Sequence, residues 1–160
     1  MNNENQNQNS LSAGGEGQGE VAAHSQLSTI NSQLVYAYTR SQAIADGFQI
    51  EVSKVAREAG ITFPVFLTRA VFDNYVTVPA GVTGQDEAGR LWDIVWMTRF
   101  AIIRLRAGRN GPTESRRLSV ALYVRNKPQA AQLVKLVAVC GPLDIDDPQP
   151  AITVTMPDED

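Results

Sequence analysis

One segment, residues 83–108, limits what this chain can fold into, because it predicts a single long helix that is apolar on most of its sides. Thr83 stands three residues before Asp86, which is an acidic variant of the capping box that starts helices. Gly108 can take the left-handed conformation that ends a helix, and a loop rich in Gly, Asn and Pro follows it. The remainder of the chain must therefore supply the surfaces that cover this helix.

The apolar side chains of the predicted helix fall into two groups when they are placed at about 100° per residue. One face holds Leu91, Ile94, Val95, Ile102 and Leu105, and the other holds Trp92, Trp96, Phe100 and Ile103. A helix that is apolar around most of its girth is normally buried on more than one side. We therefore predict a core helix held between a sheet and other helices, with both tryptophans as core anchors.

The charged residues of the same helix argue against a membrane span. Arg99 and Asp93 interrupt the segment, which is also short for a bilayer. Arg90, Asp93 and Arg104 share a narrow polar edge. On a helix that is otherwise buried, we expect Asp93 to pair with Arg90 or Arg104.

The two ends of the chain differ in composition from its middle. Residues 1–26 are mainly Asn, Gln, Gly, Ser and Glu, which cannot bury enough apolar surface to offset the entropy of ordering. We therefore predict a disordered polar tail at 1–26 and a single α+β domain at 27–160. The N-terminus has neither the basic nor the apolar region of a signal peptide, and Cys140 is the single cysteine. Both features favour a cytoplasmic protein with no internal disulfide.

Hydrophobic periodicity predicts the other elements. Before the long helix we predict helices at residues 28–46, at 54–59 with Ser53 as N-cap, and at 64–75, and a strand at 48–52. After it we predict strands at 118–124, 132–140 and 151–156, the second of them broken by Gly141 and Pro142. Short connections between these strands favour an antiparallel meander. The predicted fold class is α+β, with N-terminal helices and one long buried central helix packed on a small antiparallel C-terminal sheet.

The sequence contains few groups that could perform chemistry. Cys140 lies in an apolar run, and the one histidine, His24, lies on the predicted tail, so we expect a buried structural cysteine rather than a nucleophile. Residues 144–147 lack the ligand spacing of a calcium loop, and residues 81–84 lack the Lys-Ser/Thr of a phosphate-binding loop. We therefore expect no catalytic residue, no metal and no cofactor.

The charge of the chain is unevenly distributed. Residues 90–135 carry ten basic and two acidic residues, a net charge of +8, whereas residues 1–89 carry −5 and residues 136–160 carry −6. The candidate contacts to nucleic acid or to a partner in this basic segment are Arg106, Arg109, Arg116, Arg117, Tyr123, Arg125 and Lys127. On a shared face they would neutralise phosphates, and spread around the surface they would pair with the acidic segments. The sequence leaves both arrangements open.

Several short segments along the chain carry a resemblance to a known family. They are EVS and AREAG within residues 51–60, FPV and LTRA within 63–70, VP and GVTGQDEAGRLWD within 78–93, LVAVCGP at 136–142, and MPDED at 156–160. Together they resemble a family of small uncharacterised bacterial proteins, a domain of unknown function often encoded on conjugative plasmids and other mobile elements. The resemblance covers residues 40–160 and implies a bacterial cytoplasm and an accessory role for the host replicon. It implies no activity and assigns no functional residue.

Three hypotheses for function follow. The first is a non-enzymatic accessory module that binds another protein, with interference against a host or rival system as one such role. The second is nucleic-acid binding through the basic segment 90–135, and the third and least favoured is an enzyme whose site the sequence does not reveal. A homodimer also stays open, because an uncovered face of the long helix or an unpaired sheet edge would favour one.

Overall fold

The protein is described by a computed structural model, in which residues 38–108 and 116–159 are described. The strands in these residues are β1 (Gln49–Glu51), β2 (Val65–Thr68), β3 (Arg117–Val124), β4 (Gln132–Pro142) and β5 (Pro150–Thr155). The helices are α1 (Arg40–Ala45), α2 (Ser53–Glu58), α3 (Arg69–Val71), which continues into a π-helical turn at Phe72–Val76, and α4 (Glu87–Arg106). The predicted tail, 1–26, and most of the helix predicted at 28–46 lie outside the described residues.

The five strands form one sheet in the order β1-β2-β5-β4-β3. β3, β4 and β5 make the predicted antiparallel meander. β2 pairs with β5 in parallel, with Phe66 opposite Thr153, and β1 pairs with β2 in antiparallel. The α+β class is confirmed. The sheet, however, is mixed, and it takes two strands from the first half of the chain.

The helix predicted at residues 64–75 is wrong in its first half, which forms β2. Val65, Phe66 and Leu67 are consecutive and all buried, at 0%, 3% and 0% exposure. A strand covered on both faces buries consecutive residues, and periodicity cannot separate such a short apolar run from a buried helix. The helical part begins only at α3, where the Thr68 hydroxyl accepts a hydrogen bond from the N–H of Val71.

Two other predicted boundaries also differ from the structure. Ser53 is the first residue of α2 rather than its N-cap, and its hydroxyl accepts a hydrogen bond from the N–H of Val65 at 3.1 Å. β4 does not break at Gly141 but continues to Pro142, which pairs with Pro150 at the end of the ladder. A proline is tolerated there because the ladder ends at that residue.

The core lies between α4 and one side of the sheet. Ile94, Val95, Thr98 and Ala101 are the buried residues in the middle of α4. They belong to the same layer as buried side chains from the strands, among them Leu67, Val120, Leu122, Leu136, Ala138 and Val154. The hydroxyl of Thr98 is satisfied by the carbonyl of Ile94 at 2.8 Å, so this face has no unpaired polar atom at Thr98.

α4 begins later than predicted and ends where predicted. Its N-cap is Asp86, whose carboxylate accepts a hydrogen bond from the N–H of Gly89 at 2.8 Å, so the capping box expected at Thr83 is wrong. The carbonyl of Thr83 is instead bound by the guanidinium of Arg125. At the other end Gly108 has φ 68°, the left-handed conformation expected of a residue that ends a helix.

The second apolar face of α4 is at the surface. Trp92, Trp96, Phe100 and Ile103 are 38%, 45%, 47% and 43% exposed. The prediction that the helix is buried on more than one side, with tryptophans as core anchors, is therefore wrong. Periodicity identifies an apolar face, but only a further layer of the chain could bury it, and the described residues place the sheet on one side alone.

A pair of alanine variants tests this one-sided packing. Ile94→Ala should lower the free energy of unfolding by about 2–5 kcal/mol, because it leaves a cavity beside the sheet. Trp96→Ala should cost less than about 1 kcal/mol, since nearly half of its side chain is already in water. Urea denaturation followed by circular dichroism measures both. An equal loss in the two variants would contradict the exposed position of Trp96.

Candidate functional site

The exposed apolar residues of α4 form a line that we name the aromatic stripe: Trp92, Trp96, Phe100 and Ile103. Their spacing of four, four and three residues places them above one another on one side of the helix. At about 1.5 Å per residue the stripe is roughly 16 Å long. The rings of Trp92 and Trp96 stack with their centroids 5.9 Å apart and their planes at 19°. The stripe is therefore a continuous apolar surface.

Charged side chains border the stripe on both edges. Asp93 and Arg104 follow one edge, and Arg99 and Arg106 follow the other. The guanidinium of Arg104 lies 5.7 Å from the centre of the Phe100 ring, a cation–π contact. A rim of charge around an apolar centre is the usual composition of a protein-binding surface.

Arg99 is held against the loop that follows α2. Its guanidinium lies 5.1 Å from the ring of Trp96. A Cβ atom placed on Gly60 would stand 3.2 Å from the Nε atom of Arg99, and Gly60 itself has φ 87°. Gly60 therefore ends α2, as predicted, and also leaves the space in which Arg99 lies.

The carboxylate of Asp93 forms no ion pair within the residues that the structure describes. An ion pair in these residues joins Arg69 and Asp73 at 2.9 Å. The prediction that Asp93 pairs with Arg90 or Arg104 is wrong. That prediction assumed a helix that is otherwise buried. Asp93 lies on the exposed side of α4, where a carboxylate stays hydrated and needs no partner.

Arg90 is buried and fully engaged elsewhere. Its guanidinium donates to the side-chain oxygen of Gln85 at 2.7 Å, to the carbonyl of Thr77 at 2.9 Å and to the side-chain oxygen of Asn126 at 2.9 Å. It also donates to the carbonyl of Arg125. Burial, and secondarily the charge of Arg125, lowers the pKa of Arg90. This contact joins the start of α4 to the loop before it and to the chain that leaves β3.

The predicted basic contacts do not lie at one place. Arg106 is in the last turn of α4, whereas Arg116 and Arg117 are at the start of β3. Arg109 lies outside the described residues. β3 is eight residues long, or about 26 Å, so its two ends are well separated.

The remaining predicted contacts lie at the far end of β3. Tyr123 is 69% exposed and alternates with buried Leu122 and Val124, so it points away from α4, as does Arg117. Arg125 holds the loop before α4 through the carbonyl of Thr83, and Lys127 is exposed in the turn after β3. The structure thus places Arg116 and Arg117 at one end of β3, and Tyr123, Arg125 and Lys127 at the other.

A second group of polar residues joins α1 to the sheet. Arg40 lies 4.4 Å over the ring of Phe66 and donates to the side-chain oxygens of Gln49 at 2.6 Å and Thr153 at 2.9 Å. Burial lowers the pKa of Arg40, and the charge of Asp144 opposes this change. These contacts occupy the guanidinium in holding α1 on the side of the sheet away from α4.

Asp144 caps the start of α1 from a distant loop. Its carboxylate accepts hydrogen bonds from the N–H groups of Ile145 at 2.8 Å, Arg40 at 2.9 Å and Ser41 at 3.0 Å, and from the hydroxyl of Ser41 at 2.9 Å. Led by the N–H of Ile145, these donors lower the pKa of Asp144 from 3.8 to about 2. All four contacts favour the ionised carboxylate, so Asp144 is suited to holding the fold together rather than to transferring a proton.

Cys140 is exposed, which corrects the prediction of a buried structural cysteine. It lies on the same side of β4 as Leu136 and Ala138 but nearer the end of the strand, where the side chains are no longer covered. In residues 38–108 and 116–159, no three His, Cys, Asp or Glu side chains are close enough together to hold a metal ion. No helix in these residues combines the length and the apolar content needed to cross a bilayer.

The stripe is visible in the sequence as an apolar face, which we predicted to lie in the core. One feature of the sequence indicates that the stripe lies at the surface. α4 has two apolar faces, and one of them is enough to cover one side of a small sheet. A helix that packs on the outside of a sheet needs only one apolar face.

Comparison with known proteins gives one match. A family model described as "Family of unknown function (DUF6573)" matches residues 29–160 of the chain. No curated protein and no solved structure matches it.

The role of Asp144 predicts how stability depends on pH. Its pKa is lower in the folded chain than in the unfolded chain, so its contribution is fully present above about pH 4 and is lost as the pH falls toward 2. Asp144→Asn should therefore be less stable than the wild type at neutral pH, and the difference should narrow below pH 4. Urea denaturation between pH 2 and 6 measures it, with Asp146→Asn in the same loop as the charge control. A difference that stays constant with pH would contradict the prediction.

Proposed function

We propose that this chain, which belongs to the Family of unknown function (DUF6573), is a non-enzymatic protein-binding module whose binding face is the aromatic stripe of α4. In this proposal it acts in the bacterial cytoplasm as an accessory protein of a plasmid or mobile element, and interference with a host or rival system is one role that such binding would serve. The cellular setting rests on the resemblance described above, and the binding face rests on the geometry of α4.

The observation that carries the proposal is the exposure of two tryptophans, a phenylalanine and an isoleucine in one line. Contiguous apolar patches with a polar rim mark interaction surfaces on folded proteins. Tryptophan is also enriched among the residues that dominate binding energy. The stripe has no part in the layer of side chains between α4 and the sheet, so packing within the described residues does not account for it.

The shape of the stripe favours a helix or another elongated apolar segment as its counterpart. α4 has 20 residues and is about 30 Å long, and its exposed rings stand in a row along its axis. Side chains of a second helix can insert between rings that are spaced one turn apart. The other polar groups described above support a binding role rather than chemistry, because the side chains of Arg40, Arg90 and Asp144 are engaged in holding the fold.

An affinity capture with matched variants tests the proposal. The bait is the tagged full chain, and the lysate comes from host cells that also express the untagged chain. Trp92→Ala/Trp96→Ala should reduce the amount of the captured partner by tenfold or more, because truncation of central aromatic anchors typically costs more than about 1.4 kcal/mol of binding free energy. Quantitative mass spectrometry measures the captured proteins.

The control for this capture is Leu133→Ala/Ile145→Ala, which removes two exposed apolar side chains that lie outside α4. It should capture the same partner as the wild type, and circular dichroism should show that both double variants are folded. Equal capture by all three baits, or no enriched protein with any of them, would overturn the proposal.

Nucleic-acid binding is the second candidate, and one observation favours it: Arg117 and Tyr123 point to the same side of β3, and Arg116 is next to Arg117. Fluorescence anisotropy with labelled single- and double-stranded DNA and RNA at about 50–200 mM salt tests this candidate. If both arginines contact phosphates, Arg116→Ala/Arg117→Ala should reduce the slope of log K against log salt by about 1.4–1.8. Lys54→Ala/Arg57→Ala, which removes the same charge from α2, should not change it. Absent or salt-independent binding would contradict this candidate.

A further inference from the structure

We infer that the protein bound at the aromatic stripe is a second copy of this chain, placed antiparallel to the first about a twofold axis that crosses α4 near residue 98. This inference rests on the proposed function, since it names the partner of the same face. It is carried by the arrangement of apolar and charged residues along α4.

The apolar residues of the stripe are arranged symmetrically along α4. Trp92 and Ile103 end the stripe, and Trp96 and Phe100 lie between them, so both pairs have their midpoint close to residue 98. When two copies of α4 lie antiparallel with their centres at that point, Trp96 faces Phe100 of the second copy and Trp92 faces its Ile103. A twofold interface requires a surface that is complementary to itself in this way.

The charges on one edge of the stripe have the same symmetry. Asp93 and Arg104 are eleven residues apart, which is close to three full helical turns, so they lie on the same edge of the stripe. Their midpoint also falls near residue 98. A twofold axis across antiparallel helices keeps the same edges together, so Asp93 of each copy faces Arg104 of the other. Two opposite-charge pairs would then border the apolar contact.

Both charges are available for this contact. Asp93 and Arg104 are exposed, and no ion pair is formed by Asp93 within the described residues. The guanidinium of Arg104 lies over the ring of Phe100, next to the surface that the second copy would cover. A charge-assisted pair there would be partly shielded from water by the rings, which strengthens it relative to an open surface pair.

The charges on both edges of the stripe favour the antiparallel arrangement over a parallel one. In a parallel pair, unlike edges meet at the same height, so Arg104 would stand beside Arg106 of the second copy and the cations would repel. In the antiparallel pair, Arg99 approaches its own counterpart, but its guanidinium is held over Trp96 and against Gly60. Charge complementarity therefore selects the antiparallel dimer.

Analytical ultracentrifugation of the full chain with charge-exchange variants tests the dimer. The wild type should show a reversible monomer–dimer equilibrium, with dissociation in the micromolar range because a contact of one helix per subunit is small. Asp93→Arg and Arg104→Glu, each alone, should weaken the dimer tenfold or more, since each places like charges together at both pairs. Lys135→Glu, on the side of the sheet away from α4, is the charge control and should dimerise as the wild type does.

Two further samples make the test specific. An equimolar mixture of the Asp93→Arg and Arg104→Glu chains should form a heterodimer, because both contacts in the mixed pair again join opposite charges. The double variant Asp93→Arg/Arg104→Glu should recover the homodimer for the same reason. A single substitution that weakened the dimer only by unfolding the chain would not allow a dimer to form in either sample.

Two results would overturn the inference. One is a wild-type chain that stays monomeric at hundreds of micromolar, and the other is a dimer whose strength is unchanged in the single variants and in their mixture. The capture experiment separates these failures from failure of the proposed function. If a different protein is captured through the stripe by a monomeric chain, the dimer is wrong and the binding module stands; if no capture depends on the stripe, the binding module falls as well.

Discussion

The burial of one face of α4 against one side of the sheet is the contact on which the remainder of the structure depends. Ile94 and Thr98 are completely buried there, and the strands that face them contribute the largest buried side chains. α4 forms an outer layer with the sheet on one side of it, so it can bury one face and no more. The second apolar face of α4 therefore lies at the surface. The packing that forms the core thus also determines which apolar side chains are exposed.

Two arginines, the buried Arg90 and the partly buried Arg40, hold the ends of this arrangement in place. Arg90 and Arg40 are both surrounded by neutral oxygens from backbone and amide groups. A buried cation is tolerated only when its donors are satisfied, and each of these guanidinium groups has several acceptors. Because Arg90 joins three segments of the chain, it is removed from the exposed edge of α4, and Asp93 and Arg104 remain there as charges of opposite sign.

The parts of the fold that could be predicted from sequence are those with a long, clear period. The long helix and the three-stranded meander carry ten or more residues of consistent pattern, and the structure contains both. β2 could not be predicted, since three consecutive buried residues have the same appearance in a helix as in a strand. The exposure of Cys140 and of the two tryptophans also could not be predicted, because a local pattern does not show whether another layer of the chain covers a given face. The aromatic stripe was thus visible as an apolar pattern, and its exposure follows from its position relative to the sheet.

The position of β5 has a consequence for how the chain is made. The last strand to be synthesised lies in the middle of the sheet, where residues 152–154 pair with residues 65–67 on one side and with β4 on the other. Such a sheet has a high contact order, and its closure must await the arrival of residues 150–155 outside the ribosome. Until then β2 and β4 each lack a neighbour, and the apolar layer beneath α4 is incomplete. Until β5 is made, the nascent chain therefore exposes unpaired strand edges, the kind of surface through which incompletely folded chains aggregate.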